Sequence, residues 1–168
     1  MPRKIDPLNK KQYGAVNVAL TVTNMKTAME FYQKALGFKR RSFMKGPGGM
    51  PVHAELTLRD STVMLGPEMP GWSKSAKTAG ASPTTLYLYV EDVDKVFAKA
   101  LKLGATQQMP VGDMFWGDRC GNLVDPEGYA WTIATHKSEP TAREMMKKMK
   151  EQMSQAPPKP ESAAPAAF

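Results

Sequence analysis

The stretch "NVALTVTNMKTAMEFYQKALGF", residues 17–38, returns later in the chain as "TLYLYVEDVDKVFAKALKLGA", residues 85–105. Each copy opens on a run of alternating character: Val18, Leu20 and Val22 against Asn17, Ala19 and Thr21, then Leu86, Leu88 and Val90 against Thr85, Tyr87 and Tyr89. A period of two marks a strand with one buried face. Asn24 or Asp92 follows, each able to accept hydrogen bonds from the free amides of a first helical turn. Met25, Ala28, Met29, Tyr32, Ala35 and Leu36 then recur at helical spacing, as do Val93, Val96, Phe97, Ala100 and Leu101 in the second copy. Gly37 and Gly104 suit the left-handed residue that ends such helices.

Working outward, each helix is followed by three strand candidates. They are "KRRSFMK", "VHAELTLR" and "TVMLGPE" in the first copy, and "TQQMPVG", "DRCGNLVD" and "AWTIATH" in the second. Turn formers in "LRDSTV" and "VDPEGYAW" join the last two strands of each set as hairpins. The chain therefore reads as α+β, with two βαβββ modules related by a pseudo-twofold axis: module one over 14–66 and module two over 84–137. Residues 67–83, rich in Gly, Pro and Ser, form a connector, a lid or slack between the modules. Residues 1–13 form a basic extension. The segment 140–153 carries a methionine stripe (Met145, Met146, Met149, Met153) expected to form an amphipathic helix docked on its own sheet or a partner subunit, and 154–168 has too little apolar surface to order itself.

Composition narrows the function. The 23 Lys and Arg against 16 Asp and Glu give a net charge of +7, but the excess sits at "PRKIDPLNKK", "FKRRSFMK" and "REMMKKMK", on ends and helix faces without a nucleic-acid motif, so no specific nucleic-acid partner is expected. No apolar run is long enough to span a bilayer and no secretory signal is visible, which implies a cytoplasmic protein with no membrane partner. Cys120 is alone, so neither an intrachain disulfide nor a cysteine zinc cage is available.

The helix motif "FYQKALGF" with the later "WGDRCGNLVDPEGYAW" resembles the vicinal-oxygen-chelate superfamily, which includes glyoxalase I, bleomycin-resistance proteins and extradiol dioxygenases. The resemblance covers about residues 14–137 and, through "VHAELTLRDSTVMLG" and "WTIATHKSE", is similar to the PhnB-like branch. It implies that the two modules form a cupped mixed sheet around one cavity. It also implies four inward metal-ligand positions, which fall here on Asn17, Glu55, Thr85 and Thr132. Asn and Thr oxygens are poor ligands for a transition ion. No cofactor is therefore expected, and a divalent metal would rest on His53 and Glu55, which share a strand face.

Strand alternation puts Asn17, His53, Glu55, Thr85, Tyr87, Tyr89 and Thr132 on the concave face, with Phe115 and Trp116 at its mouth, a mixture suited to a small organic ligand. Glu55 is the candidate acceptor or catalytic base, on the expectation that enclosure raises its pKa. Asp118 and Arg119 are read as an ion pair or turn brace, and His136 as a surface or capping residue. The function expected is metal-independent sequestration or processing of an aromatic or drug-like molecule by a homodimer; the alternatives are a metal-dependent lyase, isomerase or dioxygenase of the same superfamily, and an interaction module using the methionine helix.

Overall fold

A computed structural model describes residues 6–9 and 11–155; the start of the basic extension and the tail beyond residue 155 lie outside the described residues. The elements run β1 (Val18–Val22), α1 (Met25–Lys34), β2 (Lys39–Lys45), β3 (Pro51–Leu58), β4 (Ser61–Pro67), α2 (Ala76–Ala79), β5 (Thr85–Tyr89), α3 (Val93–Lys102), β6 (Thr106–Asp113), β7 (Asp118–Val124), β8 (Ala130–His136) and α4 (Ala142–Gln155). The βαβββ unit thus occurs twice. Each unit forms its own four-stranded mixed sheet, ordered β1-β4-β3-β2 and β5-β8-β7-β6, with the first strand parallel to the fourth and the hairpins antiparallel.

The caps behave as the sequence requires. Asn24 accepts from the amides of Lys26 and Thr27, and Asp92 from that of Lys95. Val18, Leu20, Leu86 and Leu88 all face one continuous apolar core that also takes Met25, Met29, Tyr32, Val93 and Phe97 from the helices. Because both helices and one face of each sheet share this core, the opposite sheet faces carry no helix.

The modules are held together by reciprocal contacts. Tyr129, in the β7–β8 turn, donates its hydroxyl to the carbonyl of Thr21 at 2.7 Å and accepts from the Thr21 amide at 3.1 Å. Arg59, in the β3–β4 turn, donates to the carbonyl of Tyr89 at 2.6 Å. Turn of one module meets first strand of the other in both directions, as pseudo-twofold symmetry demands.

Two acids from the "DPEG" turn deepen this seam. Asp125, 4% exposed, accepts from Tyr32 Oη at 2.7 Å, Trp131 Nε1 at 2.8 Å, and the amides of Glu127 and Tyr129. Glu127, also buried, accepts from the amide and hydroxyl of Thr23 and the amide of Asn24 at the start of α1. Gly128, directly after Glu127, turns the chain at φ +88°, and a Cβ there would lie 2.5 Å from the Lys77 amide nitrogen.

The connector is structured. Ser75 is fully buried, caps α2 by accepting from the Thr78 amide, and bonds Glu68, while the Lys77 amide donates to the carbonyl of Glu127 at 2.8 Å. The 67–83 connector therefore braces the second module's turn. Helix α4 buries none of its described side chains; Met145 and Met149 are half-buried and Met146 is exposed. No helix among the described residues is long and apolar enough to cross a membrane.

Candidate functional site

The helix-free faces hold the sequence-chosen residues in two separate groups, each built around one carboxylate. In module one the centre is Glu55 on β3. Tyr13 donates to its Oε1 at 2.7 Å, Arg41 donates Nε–H to its Oε2 at 2.8 Å, and His53 Nε2 stands 3.4 Å from Oε1. Arg41 reaches the inner face because the β2–β3 pairing slips between Arg40 and Ser42, a bulge that re-aims one side chain. Its guanidinium lies 4.3 Å from the centre of the Tyr13 ring and donates to the carbonyl of Gln12, so residues 12–14 are pinned over this face.

This arrangement reverses one expectation. Burial alone would raise the Glu55 pKa, but the hydrogen bonds from Tyr13, Arg41 and His53, with the charge of Arg41, outweigh it and hold the carboxyl at about 2. Asn17 donates to the carbonyl of Gly14, which leaves its own Oδ1 buried and unbonded.

In module two the centre is Asp118 at the start of β7, 3% exposed. Its Oδ2 accepts from Tyr87 Oη at 2.8 Å, Tyr89 Oη at 2.9 Å and Trp116 Nε1 at 3.2 Å. Its Oδ1 faces His136 Nδ1 at 2.9 Å. Burial pulls the Asp118 pKa up and the bonds from His136, Tyr87, Tyr89 and Trp116 pull it down further, so it lies below the usual carboxylate value. Burial and the Asp118 bond push the Tyr87 phenol well up.

The sheet register explains the geometry. Tyr87 pairs with Thr132 and Tyr89 with Ala134 on β8, while Ala134 pairs with Cys120 and His136 with Asp118 on β7. To reach Asp118 the two phenols extend across β8, over small side chains, of which Ala134 and Cys120 are fully covered. The ring centroids are 5.2 Å apart, and the residues remain 47% and 43% exposed. The result is an open aromatic platform whose hydroxyl ends are fixed. Trp116, 38% exposed, flanks it and stacks edge-on with Phe115 at 4.9 Å.

Arg119 does not pair with Asp118. On the opposite face it binds Asp94 of α3 through two 2.8 Å bonds and Asp113 of β6 at 3.2 Å, a brace behind the platform. His136, expected to be a surface or capping residue, has a half-exposed side chain and is bonded to the buried Asp118. Thr132 donates to Asn122 Oδ1 at 3.0 Å beside the platform; Thr85 lies at its far edge and lines a cavity of about 410 Å³ with Lys77, Gln108 and Gly128. Phe115 lines a separate cavity of about 300 Å³ beside Lys148 and Gln152 of α4, and the Asp118 end adjoins one of about 540 Å³.

The donors at the four ligand positions do not fit a divalent transition ion. Glu55 has both oxygens committed and a guanidinium 2.8 Å away, Thr132 is turned to Asn122, the free Oδ1 of Asn17 is a neutral amide oxygen and a poor ligand for such an ion, and no group of three or more His, Cys, Asp or Glu side chains able to hold a metal occurs among the described residues.

Comparison with known proteins fits this geometry. Residues 14–133 match the Glyoxalase/Bleomycin resistance protein/Dioxygenase superfamily. An uncharacterized protein of Mycobacterium tuberculosis (strain H37Rv) is 34% identical over 142 residues, 82% of this chain and 84% of its own length. The crystal structure of TioX from Micromonospora sp. ML1 is 26% identical with a TM-score of 0.59, covering 72% of this chain and 97% of that one. A glyoxalase family protein from Bacillus cereus shares the fold at a TM-score of 0.62 and 19% identity, over 80% of this chain and all of that one. On this match and on its paired modules, the chain belongs to the glyoxalase/bleomycin-resistance/dioxygenase superfamily.

Proposed function

We propose that this protein is a PhnB-like, metal-independent binding protein that holds a small aromatic or drug-like molecule against the Tyr87–Tyr89 platform, acts in the cytoplasm and works as a homodimer. The observation that supports this reading is the combination of exposure and fixation. Two phenol rings are more than two-fifths exposed, yet both hydroxyls are tied to one buried carboxylate. A ring already immobilised loses little conformational freedom when a ligand stacks on it, so more of the contact energy appears as affinity. Thr132 and Asn122 supply hydrogen-bonding groups at its border, and Trp116, whose indole N–H is held by Asp118, adds aromatic surface. Thr85 lies at the platform's far edge, and Asn17, His53 and Glu55 form a second, separate polar group on module one. The helix-free sheet faces and the edge strands β1, β2, β5 and β6, which would gain from cover, support the homodimer reading.

Protein purified without chelators tests this reading. The expected result is a dimer mass by light scattering at tens of micromolar, transition metal far below one ion per chain, and a rise in Tm with planar aromatic compounds that survives EDTA. One tightly held ion per chain, with stabilisation abolished by EDTA, would overturn it.

A further inference from the structure

Asp118 does more than fix two tyrosines. Its second oxygen meets Nδ1 of His136 at 2.9 Å, while the imidazole side chain is about half exposed at the platform's end. A buried anion facing Nδ1 keeps the proton on that nitrogen and leaves the lone pair on Nε2 pointing away from the acid. Exposed Glu139 stands 3.8 Å from Nε2, too far for a hydrogen bond, so that nitrogen remains open. An oriented imidazole beside an aromatic platform has the parts of a proton-transfer site: a surface that positions a planar molecule and a base at its border. None of these groups occupies the four metal-ligand positions.

We infer that His136, positioned by Asp118, is a general base for planar aromatic substrates bearing an acidic C–H, and that the protein catalyses proton abstraction without a metal. The inference rests on the platform reading above. In the simplest case Nε2 takes the proton, the C–H electron pair moves into the conjugated system, and the proton returns to another atom or to solvent, with no external oxidant or reductant.

The probe 5-nitrobenzisoxazole tests this. Nε2 takes the C3 proton, the C–H pair completes a nitrile as the ring N–O bond breaks, and 2-cyano-4-nitrophenolate leaves as a coloured product. The wild-type protein is expected to give a saturable rate. His136→Gln should lower kcat by about a hundredfold, the lower range for a positioned base, with KM unchanged. Asp118→Asn can keep an acceptor toward the two tyrosines and Trp116 while its amide donates to Nδ1, which moves the imidazole proton to Nε2. It should therefore also lower kcat more than it raises KM. Tyr87→Ala should act mainly on KM. Equal kcat in wild type and His136→Gln, with saturation retained, overturns the base assignment and leaves the platform standing. A rate that does not saturate and is indifferent to Tyr87→Ala overturns both.

Discussion

Asp125→Ala is expected to destabilise the protein by about 3–5 kcal/mol and lower its Tm by roughly 10 °C, as read from denaturant and thermal melts. The carboxylate satisfies four donors in the interior, from α1, β8 and its own turn. Removing it leaves the Tyr32 hydroxyl and the Trp131 indole N–H buried without partners, and those rings pack 5.7 Å apart in the seam between the modules. Burial holds the Asp125 carboxyl above its usual value, so the fold penalises its charge rather than requiring it. Asp125→Asn drops the charge and keeps one acceptor oxygen for two of the four donors but sets its NH2 against the other two, so it should cost less than alanine without restoring wild-type stability. A loss under 1 kcal/mol for the alanine variant would mean that the seam does not carry the fold.

Acid is expected to remove about 2 kcal/mol of stability through Glu55. Its folded pKa is depressed from 4.5 to about 2, so the stabilisation is fully present above the unfolded value and disappears as pH falls from about 4.5 to 2. The full shift would correspond to about 3 kcal/mol; solvent reaching the half-exposed His53 and the Arg41 rim reduces it. Glu55→Gln should be less stable than wild type at pH 7, and the difference should close by pH 2. If the two lose stability in parallel on acidification, the Tyr13–Arg41 clamp on Glu55 is not as described. The same clamp makes Glu55 a weak base at neutral pH, which is why the proton-transfer proposal rests on His136.

The repeated strand–cap–helix pattern carried almost all of the fold, because alternation and helical spacing report which side of each element meets the core. Val18, Leu20, Leu86 and Leu88 needed nothing more. The candidate site was legible as a list of faces, and Tyr87, Tyr89, Trp116 and Thr132 do share one. Their organisation was not legible, because it depends on pairings across strands. Asp118 meets Tyr87 and Tyr89 some thirty residues away through the β5-β8-β7 order, and that order is set by topology rather than by local pattern. The Glu55 pKa was misjudged for a related reason. Burial is visible in an apolar strand, but Arg41 reaches inward through a bulge that "KRRSF" does not announce. Asp125 and Glu127 were read as a turn, and the distance to Tyr32 and Thr23 hid their role between modules.

The platform itself is tested most directly by calorimetric titration of wild type and the Tyr87→Ala/Tyr89→Ala double variant, in EDTA, with the aromatic compound that most raises Tm. The account predicts one site per chain that binds unchanged in EDTA and weakens by about 2 kcal/mol or more, roughly thirtyfold, when the two rings are removed. Equal affinity in the two proteins, or binding that EDTA abolishes and a divalent metal restores, would contradict it.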